Sequence, residues 1–421
     1  MHTRLTLESI RKTLQLAMSR GFLTNHDAAI FYDFDGLGRR LGLLRSLFPP
    51  SALHAVALKA NPLLAVARRL RTLGAGMEVA SLAELKLAEA AGFLPERMVF
   101  DSPVKTADEL TYALARGVQV NVDSLDELSR VARIVHDRPS LSTIGVRINP
   151  QVGTGRIAIT SVAGHFSKFG IPLFEQGPQL KEAFLRYPWL SGVHVHVGSQ
   201  GCPLELLVRG VRTVWEFAEE VRVSGGKVNT VDIGGGLPAR YRTEDSPSDP
   251  AVYVATLHQT CPGLFESPVR LITEFGRALH SPGGWAVSRV EYVKHSRYGN
   301  VAMIHLGADM FLRKCYAPDL WHHDILALDA RGEYKQGPGR RYAVAGPLCF
   351  SGDILERDID LPELVEGDLL LIRDVGAYTF SMWSRYNSRQ FPRVLGYENE
   401  GETMEILKER ESAENVVEFW Q

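Results

Sequence analysis

The stretch MEVASLAELKLAEAAGFLPERMVFD (77–101) reads as strand, helix, strand. Met77–Ala80 and Met98–Asp101 are short apolar runs, while SLAELKLAEAAGF (81–93) is amphipathic and opens with a serine and a nearby glutamate, the capping-box chemistry of a helix start. The same βα unit recurs outward in both directions. Apolar runs lie at Leu53–Leu58, Val118–Val122, Thr143–Ile148, Gly192–Val197, Asn229–Ile233 and Leu271–Glu274, and a second Ser-led helix is SLDELSRVARIVHD (124–137). Eight candidate strands alternating with helices predict an α/β chain folded as a (β/α)8 barrel, with a doubly wound sheet as the alternative. DSPSDP (245–250) reads as a loop within the barrel. After Gly276 the texture changes to strand-like runs divided by turns, among them WAVSRVEYVKH, RYAVAGP and DLLLIRD. The expected division is a barrel over 28–280 and a β-rich, β-barrel-like domain over 281–421 completed by residues 1–27.

Composition excludes several function classes. A chain of 421 residues suggests two domains. Its 47 basic and 49 acidic side chains leave a formal charge of -2, so no bulk field draws it to nucleic acid or an anionic membrane. Cys202, Cys261, Cys315 and Cys349 lie far apart without CxxC spacing, which argues against a disulfide framework and a structural zinc site and suits a reducing cytoplasm. The N-terminal MHTRLTLESIRKTLQLAMSRG has no continuous apolar core, and no run of about 18 apolar residues occurs, so an unprocessed, non-membrane protein is expected.

Several residues at strand ends could carry chemistry. Lys59 closes HAVALK, placing an amine where the first barrel strand meets its loop, the end at which barrel active sites lie; alone, a lysine here is ordinarily a solvated strand end. In VHVHVGSQ (193–200), His194 and His196 share one side of a strand, which suits a metal pair, core packing, or a ring stacked on a planar cofactor. DIGGGLP (232–238) ends another strand with three glycines whose amides can approach an anion closely, or which simply make a tight turn. EFGR (274–277) brings an acid and a guanidinium to the last strand end, where an exposed ion pair is the ordinary explanation. GPLCFSGD (346–353) and Gly376-Ala377-Tyr378 place a thiol and a phenol in tight turns.

Taken in order, VALKANP (56–62), EVASLAEL (78–85), SKFGI (167–171), HVHVGSQ (194–200), DIGGGLP (232–238), EFGR (274–277), RVEYVKH (289–295), GPLCFSGD (346–353) and GAYTFSMWSRYNSR (376–389) resemble the fold-type III pyridoxal-phosphate decarboxylases. Within that family the likeness is greatest to the enzymes that act on diaminopimelate. The resemblance implies an alanine-racemase-like barrel with a C-terminal β domain, in a homodimer whose active sites lie between subunits. It also implies that Lys59 carries pyridoxal 5'-phosphate as a Schiff base and that His196 stacks on the pyridine ring. Ser199, Gly234, Gly235, Gly236, Gly276, Arg277 and Tyr378 would hold the phosphate, and Glu274 would face the pyridine nitrogen. Cys349 would serve the partner subunit's site as proton donor after carbon dioxide leaves. An acid facing the pyridine nitrogen favours the protonated, electron-accepting ring and so decarboxylation; alanine racemase presents an arginine there.

For substrate choice, the resemblance places Arg313 and Tyr316, with Arg277, on a distal carboxylate. Diaminopimelate-acting members usually follow the catalytic cysteine with Glu and ornithine-acting members with Asp, but here the residue is Phe350. Phe275 likewise stands where the family usually has Pro. An apolar ring cannot accept a hydrogen bond from an ammonium, so the expected substrate is an amino acid or conjugate with a distal acid or polar group, of the kind found in siderophore or antibiotic pathways. The alternatives are meso-diaminopimelate itself, an amino-acid racemase, and a non-catalytic cofactor-binding protein.

Overall fold

The computed structural model describes residues 4–24 and 27–421, so the first three residues of the N-terminal stretch read above lie outside it. The chain forms two compact units: Arg40–Pro238 with Pro247–Ala278, and His2–Arg39 with Ala239–Ser246 and Leu279–Gln421.

In the first unit the eight expected strands are present as β1 (Leu53–Ala57), β2 (Gly76–Val79), β3 (Met98–Asp101), β4 (Gln119–Val122), β5 (Ile144–Asn149), β6 (Leu190–His194), β7 (Thr230–Asp232) and β8 (Arg270–Thr273). Each pairs in parallel with the next, and β8 returns to β1 through Ile272↔Leu53 and Thr273↔His54. That closing pair decides for a barrel over a doubly wound sheet. Strands of a parallel barrel are covered on both faces, which is why they are near-continuous apolar runs. Ser81 and Ser124 start their helices by accepting from the backbone N–H of Glu84 and Glu127 at 3.2 and 3.1 Å. The two glutamates reach one residue past the cap, to the N–H groups of Ala80 and Asp123.

Along each strand the side chains alternate, so residues two apart share a face. Val99 and Ile272 belong to an apolar interior cluster with Leu53 and Ala55. Two residues further on, the same face carries Asp101 on β3 and Glu274 just past β8. The offset repeats from Gly145 to Arg147, from Gly192 to His194 and from Thr230 to Asp232. Gly145 and Gly192 pack backbone to backbone, where a Cβ on either would lie 3.1 Å from the other's main chain. The barrel is thus filled by apolar side chains below and by ionisable ones at the C-terminal ends of its strands.

The second unit is a nine-stranded mixed sheet that branches at the long strand Gly284–Ser296. The expected barrel range of 28–280 includes Ala28–Asp33, but this strand pairs with Gly284–Ser288 and Arg393–Tyr397 and belongs to the mixed sheet. Its reach is fixed by Phe31, whose ring stacks on Trp285 at 3.9 Å. The helix Leu7–Ser19 buries Ile10, Thr13, Leu14 and Ala17, one stripe at helical spacing, against the cluster that contains Phe31, Trp285, Leu371 and Leu395.

Leu14→Ala should cost about 2–5 kcal/mol, because it opens a cavity under this helix. Lys12→Ala, which removes only the exposed pair with Glu400, should cost no more than about 1 kcal/mol. Urea unfolding of the two variants measures the difference, and equal losses would contradict the docking of this helix face.

Candidate active site

Lys59 lies in a single 3-10 turn, Leu58–Ala60, at the C-terminal end of β1. Its ammonium contacts the fully buried carboxylate of Glu78 on β2 at 2.5 Å. Burial, reinforced by the negative charges of Glu274 and Asp101, raises Glu78 to about 8 even though Lys59 pulls it down. The lysine is therefore held by a side chain raised far above the ordinary carboxylate range.

Across the barrel mouth a chain of charges runs through the buried layer. Arg147 donates to Asp101 at 2.6 Å. Asp101 lies 3.3 Å from Nδ1 of His194, and Glu274 lies 3.3 Å from its Nε2. Burial opposes charging of His194, but Glu274, Asp101 and Asp232 outweigh it and hold the ring well above its ordinary range as an imidazolium. Burial likewise works to raise Glu274, and the His194 charge outweighs it, leaving this carboxylate below its ordinary value. Asp232 goes the other way, pushed well up by burial and by Glu274, and so keeps its proton.

The structure separates the two histidines of the HxH motif. β6 ends at His194, and His196 lies beyond it in irregular backbone, so the strand expected over 192–197 stops short of His196. The three groups with metal-ligand spacing are Asp101, His194 and Glu274. Their carboxylates face opposite nitrogens of one ring, the geometry of a bridging imidazolium rather than of ligands converging on an ion. Burial and the charge of Arg147 push His196 down to about 3, so its ring is neutral.

At the neighbouring strand ends, Gly234 and Gly236 adopt φ of +65° and +119°, conformations that favour glycine. A Cβ on Gly235 would lie 2.7 Å from the Glu274 carbonyl oxygen, so all three positions of the turn are restricted to glycine. Arg277 donates from Nε to Ser199 Oγ at 3.1 Å. Lys59, His196, Ser199, Gly234–Gly236, Glu274, Gly276 and Arg277 all come from the C-terminal ends of β1, β6, β7 and β8.

Residues 35–281 match the family described as pyridoxal-dependent decarboxylase, pyridoxal binding domain. The chain belongs to this family. It is 33% identical to the diaminopimelate decarboxylase of Methanothermobacter thermautotrophicus over 86% of this chain and 83% of that protein. It is 32% identical to that of Pseudomonas aeruginosa over 86% and 84%. The crystal structure of diaminopimelate decarboxylase from Helicobacter pylori complexed with L-lysine superposes with a TM-score of 0.86 at 28% identity, covering 96% of this chain and 99% of that one. The chain is a pyridoxal-phosphate-dependent decarboxylase resembling these enzymes.

The residues present fit the decarboxylase cofactor. Among the described residues the buried Nδ1 of His196 has no hydrogen-bond partner, which leaves it open to a ligand. An amine for the aldehyde, a carboxylate for a pyridinium, a neutral ring for stacking and a glycine turn for phosphate are all supplied by one rim of the barrel.

The remaining candidates form a second cluster within the mixed-sheet unit. Arg313 and Tyr316, three residues apart on the helix Leu312–Tyr316, share a face. Arg313 lies 4.8 Å from the ring centre of Tyr378. Tyr316 lies 5.7 Å from Phe350, which in turn meets Tyr386 edge-on at 6.0 Å. Cys349 is exposed, its backbone N–H donating to Asn387 at 2.6 Å.

Sequence reading missed Glu78, Asp101, Arg147, His194 as a bridge, and Asp232. Their signal is positional: a polar residue at the last inward-facing place of strand after strand.

His194→Asn should shift the acid limb of the kcat/KM profile to higher pH by about one unit or more. Glu274 depressed by the imidazolium stays ionised as pH falls below the ordinary carboxylate range. Without that charge, burial goes unopposed by its main partner and the carboxylate protonates at higher pH. A limb that does not move would exclude this role for His194.

Proposed function

We propose that this decarboxylase acts on an amino acid or conjugate that carries a distal acid or polar group and places a non-basic portion against the ring of Phe350. The observation that carries this reading is the packing of Phe350 between Tyr316 and Tyr386, directly after Cys349 and beside the helix bearing Arg313. Three aromatic rings offer apolar area and π faces, while no carboxylate takes part in those ring contacts; a primary ammonium would lose water there without gaining a charged acceptor. Arg313, on that helix, supplies a guanidinium group for a distal carboxylate.

In this reading Lys59 supplies the amine that anchors the cofactor and that later displaces the product. Bound pyridoxal phosphate supplies a conjugated sink for the electrons left when carbon dioxide departs. Glu274, kept ionised by His194, holds a proton at the pyridine nitrogen. His196, kept neutral, covers one ring face, and Ser199, Gly234–Gly236, Gly276, Arg277 and Tyr378 bind phosphate. Cys349 donates the proton that replaces the lost carboxylate, from one subunit of a homodimer to the site of its partner. No helix among the described residues is long and apolar enough to cross a membrane, and the four unpaired cysteines suit a reducing cytoplasm.

A second reading, meso-diaminopimelate as substrate, is favoured by the identity of 32–33% to decarboxylases of that name over 86% of the chain. Steady-state carbon dioxide release separates the two. The altered-substrate reading expects turnover of meso-diaminopimelate well below about 1 per second, and at least about a tenfold gain in kcat/KM for it in Phe350→Glu. Rapid turnover by the unaltered enzyme establishes the second reading instead. Independently, Lys59→Ala should abolish both the visible absorbance of the bound cofactor and carbon dioxide release; persistence of either would remove Lys59 from its role.

A further inference from the structure

At the opposite end of the barrel, a cavity of about 490 Å³ opens between the N-terminal ends of β1 and β8 and the turns that lead into β2 and β3. Three arginines line it. Arg45 projects from the last turn of a helix, Arg97 directly precedes β3, and Arg270 is the first residue of β8. Arg97 donates to the backbone carbonyls of Gly74 and Ala75 at 2.5 and 3.3 Å, and Arg270 donates to that of Glu96 at 2.6 Å. Arg45 lies against Gly74, where a Cβ would come within 3.0 Å of its guanidinium.

Among the described residues none of the three arginines forms an ion pair, and no carboxylate lines the cavity. Glu96 is exposed near Arg270, and Asp232, the other acid whose charge reaches it, keeps its proton. The positive charges therefore act on one another. Burial and the charge of Arg97 lower both Arg45 and Arg270, and burial with the charge of Arg45 lowers His54, buried at the same cavity, to about 4. Two of the guanidinium groups are held by backbone carbonyls and the third, Arg45, reaches the same open space without one, so three like charges are gathered with no acid between them. It is the donor set that binds a compact anion by several charge-assisted hydrogen bonds.

We infer that this cavity is a binding site for a small, multiply charged anion, a phosphoryl or polycarboxylate compound, distinct from the cofactor's phosphate site at the other end of the strands. Isothermal titration of the holoenzyme, whose cofactor fills its own phosphate site, with inorganic phosphate and with citrate in chloride buffer of matched ionic strength tests this. The expected result is saturable binding of one anion per chain, weakened about tenfold or more in Arg45→Gln and in Arg270→Gln. Arg45 is exposed and makes no hydrogen bond that the fold needs, so Arg45→Gln should retain the thermal midpoint of the parent. Binding of phosphate alone assigns a phosphoryl ligand, and binding of citrate alone assigns a polycarboxylate. Absence of saturable heat with both anions, or equal affinity in the parent and both variants, overturns the proposal.

Discussion

The contact of one fully buried imidazole with two carboxylates, 3.3 Å on either side, is the constraint on which the barrel's functional end depends. Charges taken out of water are tolerated only when each is paired, and removal of one partner from a buried pair costs about 3–5 kcal/mol because the other is left uncompensated. His194 cannot be neutral without leaving Asp101 and Glu274 close to each other and to Asp232. Arg147 completes the balance from the far side by its bond to Asp101. Glu274 is consequently ionised while Asp232 beside it is not, and two carboxylates of similar burial acquire opposite protonation states from their neighbours.

The same logic extends to the lysine. Glu78 is raised by burial and by the acids across the barrel, and lowered by Lys59. A fully ionised Glu78 would hold the amine as a strong ion pair, whereas a carboxyl group raised this far gives up its charge readily and holds it less tightly. In its proposed role as cofactor anchor, the Lys59 amine is thus held reversibly. This follows from the packing of charges in one layer, two residues above the apolar cluster of Leu53, Ala55, Val99 and Ile272.

The barrel was legible in the sequence because its strands are short apolar runs at regular intervals, each bounded by helical periodicity. The order of the strands followed, since parallel strands joined by helices pair with their chain neighbours. Ala28–Asp33 was harder. It is as apolar as a barrel strand, and only Phe31 facing Trp285 across a long sequence separation assigns it to the mixed sheet. The glycine turn, Lys59 and Glu274 stood out as strand-end punctuation. Asp101, Arg147 and Asp232 did not, because a single polar residue inside an apolar run carries no local mark of the other strands that meet it. The HxH spacing left several roles open for His194, and nothing local in it marks the two carboxylates that other strands bring to its ring.

In the proposed reading, Phe350 lets substrate choice change while the turn that bears Cys349 stays in place. The turn that presents Cys349 is held by Asp353, whose carboxylate accepts from the backbone N–H groups of Ala308 and Leu348 at 2.6 Å each. It is held also by backbone bonds from Phe350 to Leu348 and from Asp353 to Phe350. None of these contacts uses the side chain at position 350. The Phe350 ring packs over Gly352, where a Cβ would lie 2.7 Å from it, and against Tyr316 and Tyr386. A carboxylate at this position would face the same space with the same backbone, and only the character of the surface offered to a ligand would differ. The proposed proton donor Cys349 and the proposed recognition residue 350 are therefore adjacent in sequence but supported by separate interactions, and the second can vary without disturbing the first.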